Sequence, residues 1–220
     1  MEHLRKGFDE QLQELQQEVV RMGSLAGQAL GVAMRILVER APALEREVFD
    51  YENQVDALNL DIERRGVQLL ATQQPMARDL RTLAAVLKII SDLERIGDYS
   101  VDLAHQAVEL SARPLFKPLI DLPQMADIAQ EMLRQVLAAF VARDIEAAVA
   151  TIERDHEVDR LYRLLHTEIV EYLERDPQVA FQAVRLIMIG TYLERIADHI
   201  TNVGERIWYM ETGELKELHE

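Results

Sequence analysis

The chain has no cysteine, which excludes disulfides, thiolate metal sites and a cysteine nucleophile. Aromatic residues make up only 5% of it, and 9 Gly and 6 Pro in 220 residues leave little to interrupt long secondary structure. Positive charge is also in short supply: 24 Lys and Arg face 39 Asp and Glu, for a net charge of −15. Nucleic-acid affinity comes from neutralising phosphates with basic side chains, so this balance argues against nucleic acid as a partner. Anionic lipid should be repelled as well. No uncharged apolar run approaches the roughly 18 residues that span a bilayer, and the most apolar stretch, Leu186 to Leu193, is far shorter. The opening, Met1 to Asp9, reaches polar residues at once and lacks the apolar block of a secretion signal. The expectation is a soluble, cytoplasmic chain with no direct membrane insertion.

What is present is helical. Apolar residues make up 49% of the chain, enough for a sizeable core, and Leu, Ala, Ile, Glu, Arg and Gln dominate. Apolar positions recur at three- and four-residue spacing almost end to end, with no sustained strand alternation. Pro42 suits a first helical turn; Pro75 and Pro177 should each end one helix and begin the next. Asp144 reads as an N-cap. The segment from Arg113 to Pro123 holds Pro114, Pro118 and Pro123 and reads as the linker. The spacing predicts six long helices, at roughly 4–40, 42–73, 76–112, 123–142, 144–174 and 178–211. The fold class is therefore all-α: two tandem, pseudo-symmetric three-helix bundles at 1–113 and 123–220, joined by a proline-rich linker at 114–122. The structural rival is a coiled-coil-like rod. Gly23, Gly27 and Gly31, spaced by four, suggest close helix packing, and Met22, Met34, Met132 and Met188 read as core filler.

Leu93-Glu94-Arg95-Ile96-Gly97-Asp98 recurs one hundred positions on as Leu193-Glu194-Arg195-Ile196-Ala197-Asp198. Four residues is about one helical turn, so the two carboxylates of each line share a face. A second pair precedes each line: Glu52 with Asp56, and Asp155 with Asp159. Glu52 and Asp98 are equally distant from Pro75, as are Asp56 and Glu94. In the second half Asp155 with Asp198, and Asp159 with Glu194, are equally distant from the Asp176-Pro177 bond. Hairpins folded at those prolines set each acidic pair level with its mate, while rotation about the helix axes stays open. On rotation the apolar pattern is informative. Leu80, Leu83, Leu87 and Ile90 run into Glu94 and Asp98, and Val184 and Ile187 run toward Glu194 and Asp198, beside companion stripes of Ile89, Leu93, Ile96, Leu103 and of Ile189, Leu193, Ile196, Ile200, Val203, Ile207. The acids should lie on or at the edge of the packed face.

Carboxylates gathered at such a seam must be protonated, paired with cations, or holding metal. Arg95 and Arg195 adjoin the acids in sequence but should point away, as neighbours on a helix do. An oxygen-rich set without Cys suits Fe, Mn, Mg, Ca or, less typically, Zn. The Glu-x-x-His element of di-iron carboxylate bundles is absent. His105, His156 and His199 lie near the pairs in sequence, and Asp102, His105, His156 and Asn202 are candidates for the surrounding shell. There is no Gly-rich phosphate loop and no nucleophile elbow or triad.

These residues resemble the PhoU family over nearly the whole chain. Phe8-Asp9 with Leu12 and Met22-Gly23 is similar to its opening helix. Ser91 to Asp98 and Tyr192 to Asn202 are similar to its two signature lines, and Tyr209 to Glu214 to its ending. The resemblance implies two related three-helix bundles with multinuclear iron or zinc at Glu52, Asp56, Glu94 and Asp98 and at Asp155, Asp159, Glu194 and Asp198. It also implies a non-enzymatic negative regulator of phosphate uptake and of the phosphate-starvation response. Such a regulator couples the phosphate ABC transporter ATPase to a sensor histidine kinase; a homodimer is expected. The alternatives are a carboxylate-bridged metalloenzyme, a metal store, or a plain helical scaffold.

Overall fold

The computed structural model describes residues 2–216 and 218, with side chains from Gly7 onward. Met1, Glu217, His219 and Glu220 lie outside the described residues, and with them the outermost ends of the expected bundles. Helix is the only regular structure among the described residues. The first half holds α1 (Glu2–Glu39), α2 (Glu45–Gln73) and α3 (Arg78–Ser111). The second holds α4 (Asp121–Ala142), α5 (Ile145–Ile152), α6 (Asp155–Arg175) and α7 (Ala180–Thr212). Single 3₁₀ turns, Pro42–Leu44 and Pro177–Val179, lead into α2 and α7, each with its proline in the first turn, where no N–H is needed.

Helix ends follow from local chemistry. Gln74 and Ala77, both at φ 46°, flank Pro75 in left-handed backbone and delay α3 to Arg78 instead of the expected 76. The Asp144 carboxylate accepts the Ala147 N–H at 3.0 Å and caps α5. Two expectations are corrected. Asp121 and Leu122 are not linker but, with Pro123, the first turn of α4, because Pro123 occupies one of the helix's unpaired N–H positions. The single helix expected over 144–174 is broken at Glu153 and Arg154. There the Arg154 N–H bonds Thr151 O at 3.2 Å and the Glu157 N–H bonds Arg154 O at 3.0 Å, both three residues back. No proline or glycine marks this break; the tightened turn seats Ile152 against Gly204 of α7.

α1, α2 and α3 pack on one another, as do α4, α6 and α7, with α5 laid against α4 and α7. The bundles are not beads on a string. One apolar core runs through both, and its broadest contact is between α3 and α7. Those helices are antiparallel: Arg78 reaches Glu211 at 3.1 Å at one end, and Arg185 reaches Glu109 at 3.4 Å at the other. The two signature lines therefore cross at mid-length, and the bundles are related by a pseudo-twofold axis there. α1 and α4 also run antiparallel, with Gly23 under Leu137, Gly27 under Leu133 and Gly31 beside Gln130.

The companion stripes are the core. Ile89, Leu93, Ile96 and Leu103 are fully buried, as are Ile189, Leu193, Ile196, Ile200, Val203 and Ile207. The stripe that carries the acids is its boundary: Leu83 and Ile90 are buried, but Leu80 and Val184 are 46% and 52% exposed.

Candidate metal centre

Each hairpin brings its acidic pairs to one seam. In the first, the space beside Gly97 of α3 is filled by Val55 and Glu52 of α2, with Glu52 Cγ 3.9 Å from where a Cβ would stand. In the second, the Tyr162 hydroxyl meets Thr191 Oγ1 at 3.0 Å, two residues equally distant from the Asp176-Pro177 bond. That is the register which levels Asp155 with Asp198 and Asp159 with Glu194. Asp155, in the first turn of α6, is buried, while Asp159, Glu194 and Asp198 are half-buried. Glu52, Glu94 and Asp98 are half-buried, and Asp56 is exposed.

The acids sense one another. Burial raises the Glu52 carboxyl above its ordinary pKa, and Asp56, Asp98 and Glu94 add to the rise. Burial also raises Glu94, reinforced by Asp98 and Asp56 and opposed by Arg95 and His199. For Asp98, burial leads again, with Asp56 and Asp102 raising and Arg95 lowering. Glu194 is pushed furthest, to about 6, by burial and then by Asp198, Asp159 and Asp155. All-oxygen donors of this kind suit a hard or borderline cation such as iron or, less typically, zinc. Among the described residues, no group of three or more His, Asp or Glu side chains is placed so that it could hold a metal ion.

The side chains around the acids are distributed differently from the sequence expectation. Arg95 does not point away. Its guanidinium bends over the seam to Glu94 Oε2 at 3.5 Å and Asp98 Oδ2 at 2.9 Å, because a long side chain reaches one turn along its own helix. Arg195 instead donates to the Tyr99 hydroxyl at 3.1 Å, and Arg163 stands 3.9 Å from Asp159. The two clusters thus differ in their own cations. His105 pairs with Glu45 at 2.9 Å and sits edge-on to Phe49, tying α3 to the start of α2 rather than flanking the acids. His156 is exposed. Asp102 is exposed, and its charge acts on both Asp98 and Tyr192. Asn202 belongs to the seam between bundles, where it donates to Asp92 at 3.2 Å.

That seam is a unit of its own, built from both bundles. Asp92 of α3 faces both His199, at 2.9 Å, and Asn202 of α7. Beside them Tyr99 stacks on Tyr192 with ring centroids 5.9 Å apart and lies 5.8 Å from the His199 ring. Asp92 and Tyr99 flank the first repeated line on either side; their only signal in the sequence is a spacing of seven, two turns on one helix face.

Two carboxylate-lined three-helix bundles, sharing one core about a pseudo-twofold axis, define a duplicated helical protein built around paired acidic seams. No helix among the described residues is long and apolar enough to cross a membrane. The PhoU domain family model matches residues 19–107 and 122–207, once in each bundle, and the chain belongs to the PhoU family. It is 34% identical over 210 residues to the phosphate-specific transport system accessory protein PhoU homolog of Deinococcus radiodurans, covering 96% of this chain and 99% of that one. The fold is similar to the crystal structure of PhoU from Pseudomonas aeruginosa, at TM-score 0.91 and 28% identity over 94% of this chain and 100% of that chain. It is also similar to the phosphate transport system regulatory protein PhoU from Streptococcus pneumoniae, at TM-score 0.87 and 28% identity over 96% and 99%.

Proposed function

We propose that this chain regulates phosphate uptake as a cytoplasmic adaptor between the ATPase subunit of a phosphate ABC transporter and a sensor histidine kinase, without catalysis of its own. The observation that carries this reading is near-complete alignment with a relative named as an accessory protein of phosphate-specific transport. The family model supports it by falling once on each bundle.

In this reading Glu52, Asp56, Glu94 and Asp98 hold iron or zinc in the first bundle, and Asp155, Asp159, Glu194 and Asp198 in the second, with Mn, Mg or Ca as lesser candidates. Support comes from the raised carboxyls of Glu52, Glu94 and Asp98 at the first seam and of Glu194 at the second, each pushed up in part by neighbouring acids. The bound ion would supply positive charge that removes their repulsion and clamps each hairpin. The protein's own part is to hold four carboxylates level on two helices, and to present partners with a rigid double bundle, in solution as a homodimer. The experiment is an affinity pull-down from phosphate-replete cells with elemental analysis of the same sample. Recovery of neither a transporter ATPase nor a histidine kinase sinks the adaptor; a protein isolated without any bound metal ion sinks the metal clusters.

A further inference from the structure

Away from the acidic seams, a groove of about 1100 Å³ runs along the contact between α1 and α4. Its floor is made of small residues: Gly23, Gly27 and Gly31 on α1, and Ala126 on α4. Absent side chains let the two helices approach closely, and they leave a trough above the contact. The lining of α1 extends from Val20 to Glu39, roughly 30 Å at 1.5 Å per residue. Because α1 and α4 are antiparallel, Val38 and Val141 lie toward opposite ends, and they are 53% and 65% exposed. An apolar trough of that length, with exposed valines at its ends, is the shape that receives one amphipathic helix of about five turns.

The groove also restricts what lies in it. A second copy of this chain would bring the same concave face, and two troughs set mouth to mouth leave the space unfilled. The lining cations are already engaged: Arg35 pairs with Glu39 at 3.2 Å, and Arg134 pairs with Glu131. Asp127 lies on the opposite wall to Arg35, and the chain carries −15 overall. The complement is a helix with an apolar stripe and Lys or Arg along its flanks.

We propose that the α1–α4 groove is a docking site for a basic amphipathic helix of a partner protein. The inference rests on the adaptor reading only for the existence of a partner, and the pull-down above tests that reading independently. The groove is tested on the full chain with a fluorescent helical peptide of about 18 residues, Leu on one face and Lys on the other, against a scrambled peptide of equal composition. Ser24→Trp and Ala138→Trp, at exposed positions lining the trough, fill it without changing charge. Ala71→Trp, at an exposed position on α2, is the control. The expected result is binding of the amphipathic peptide alone, weakened about tenfold by either groove substitution and unchanged by the control. Equal binding of both peptides, equal loss in the control, or no binding at all overturns the proposal. A dimer that dissociates on Ser24→Trp, measured by sedimentation, also overturns it, because the occupant is then a second copy.

Discussion

His199 Nδ1 and Asp92 Oδ1 meet at 2.9 Å across the seam between α3 and α7, and Asn202 donates to the same carboxylate oxygen. One carboxylate of the first bundle thus holds two side chains of the second, in the largest contact between the halves. Removing a shared acceptor leaves partly buried donors unsatisfied, at about 1–3 kcal/mol. Asp92→Ala is therefore expected to lower unfolding stability by that amount in urea titration. His199→Ala combined with Asp92→Ala should cost clearly less than the two separate losses added together. Full additivity would mean the pair is not coupled.

The raised Glu194 gives metal-free protein a defined pH response. Its folded value of about 6 exceeds the ordinary 4.5, so the folded state holds the proton more tightly than the unfolded chain. Between those values the folded protein binds more protons, and its stability falls as pH rises, the loss being complete above about 6. Melting temperature in chelator should decline through that window. Glu194→Gln should flatten the decline and raise the melting temperature at pH 7. A wild-type profile that instead climbs through the same window would contradict the assignment.

Added zinc or ferrous iron should reverse that loss at pH 7, with less effect as pH drops below about 6 and protons compete for the carboxylates. Glu94→Gln and Glu194→Gln should each remove about half of the bound metal by elemental analysis. Retention of the full complement by either variant would show that the ions lie elsewhere.

Arg95 competes with any cation in the first cluster, since its guanidinium already touches Glu94 and Asp98 and is 57% exposed. Arg95→Ala should tighten cation binding there by about threefold to tenfold, the range for losing one screened charge. Calorimetric titration reads the change. Arg195→Ala should move it less, because that side chain is committed to Tyr99.

Gly204 lies where a Cβ would stand 2.8 Å from both Cδ1 and Cγ1 of Ile152. Ile152 is itself only 2% exposed, so it has little room to yield. Gly204→Ala should cost about 1–3 kcal/mol by chemical denaturation. Gly7→Ala, with nothing within 4 Å, should be neutral or stabilising by up to about 1 kcal/mol.

The hairpins were legible because proline and helical rise are strong constraints. Pro75 and Pro177 fix where each chain reverses, and equal distance from the turn then levels Glu52 with Asp98 and Asp155 with Asp198. The break at Glu153 and Arg154 was not legible, since it arises from how Ile152 seats on Gly204, a contact between residues far apart in sequence. Arg95 escaped for a different reason: helix-face geometry places Cβ atoms, and a guanidinium can reach well beyond its own. His105 was drawn to the acids by sequence proximity, but Glu45 and Phe49 lie nearer in space. The role of Asp92 is not legible in the sequence because its partners, His199 and Asn202, come from the other bundle.

The dyad through the crossing of α3 and α7 has a consequence for how the fused halves recognise each other. In a symmetric pair every contact occurs twice. Here the equivalent of Asp92 is Tyr192 and the equivalent of His199 is Tyr99, so the carboxylate–imidazole bond on one side of the axis is answered by a stacked tyrosine pair on the other. Neither half can supply both members of either contact to a copy of itself. At this crossing the halves are not interchangeable, because each presents the partner that the other lacks.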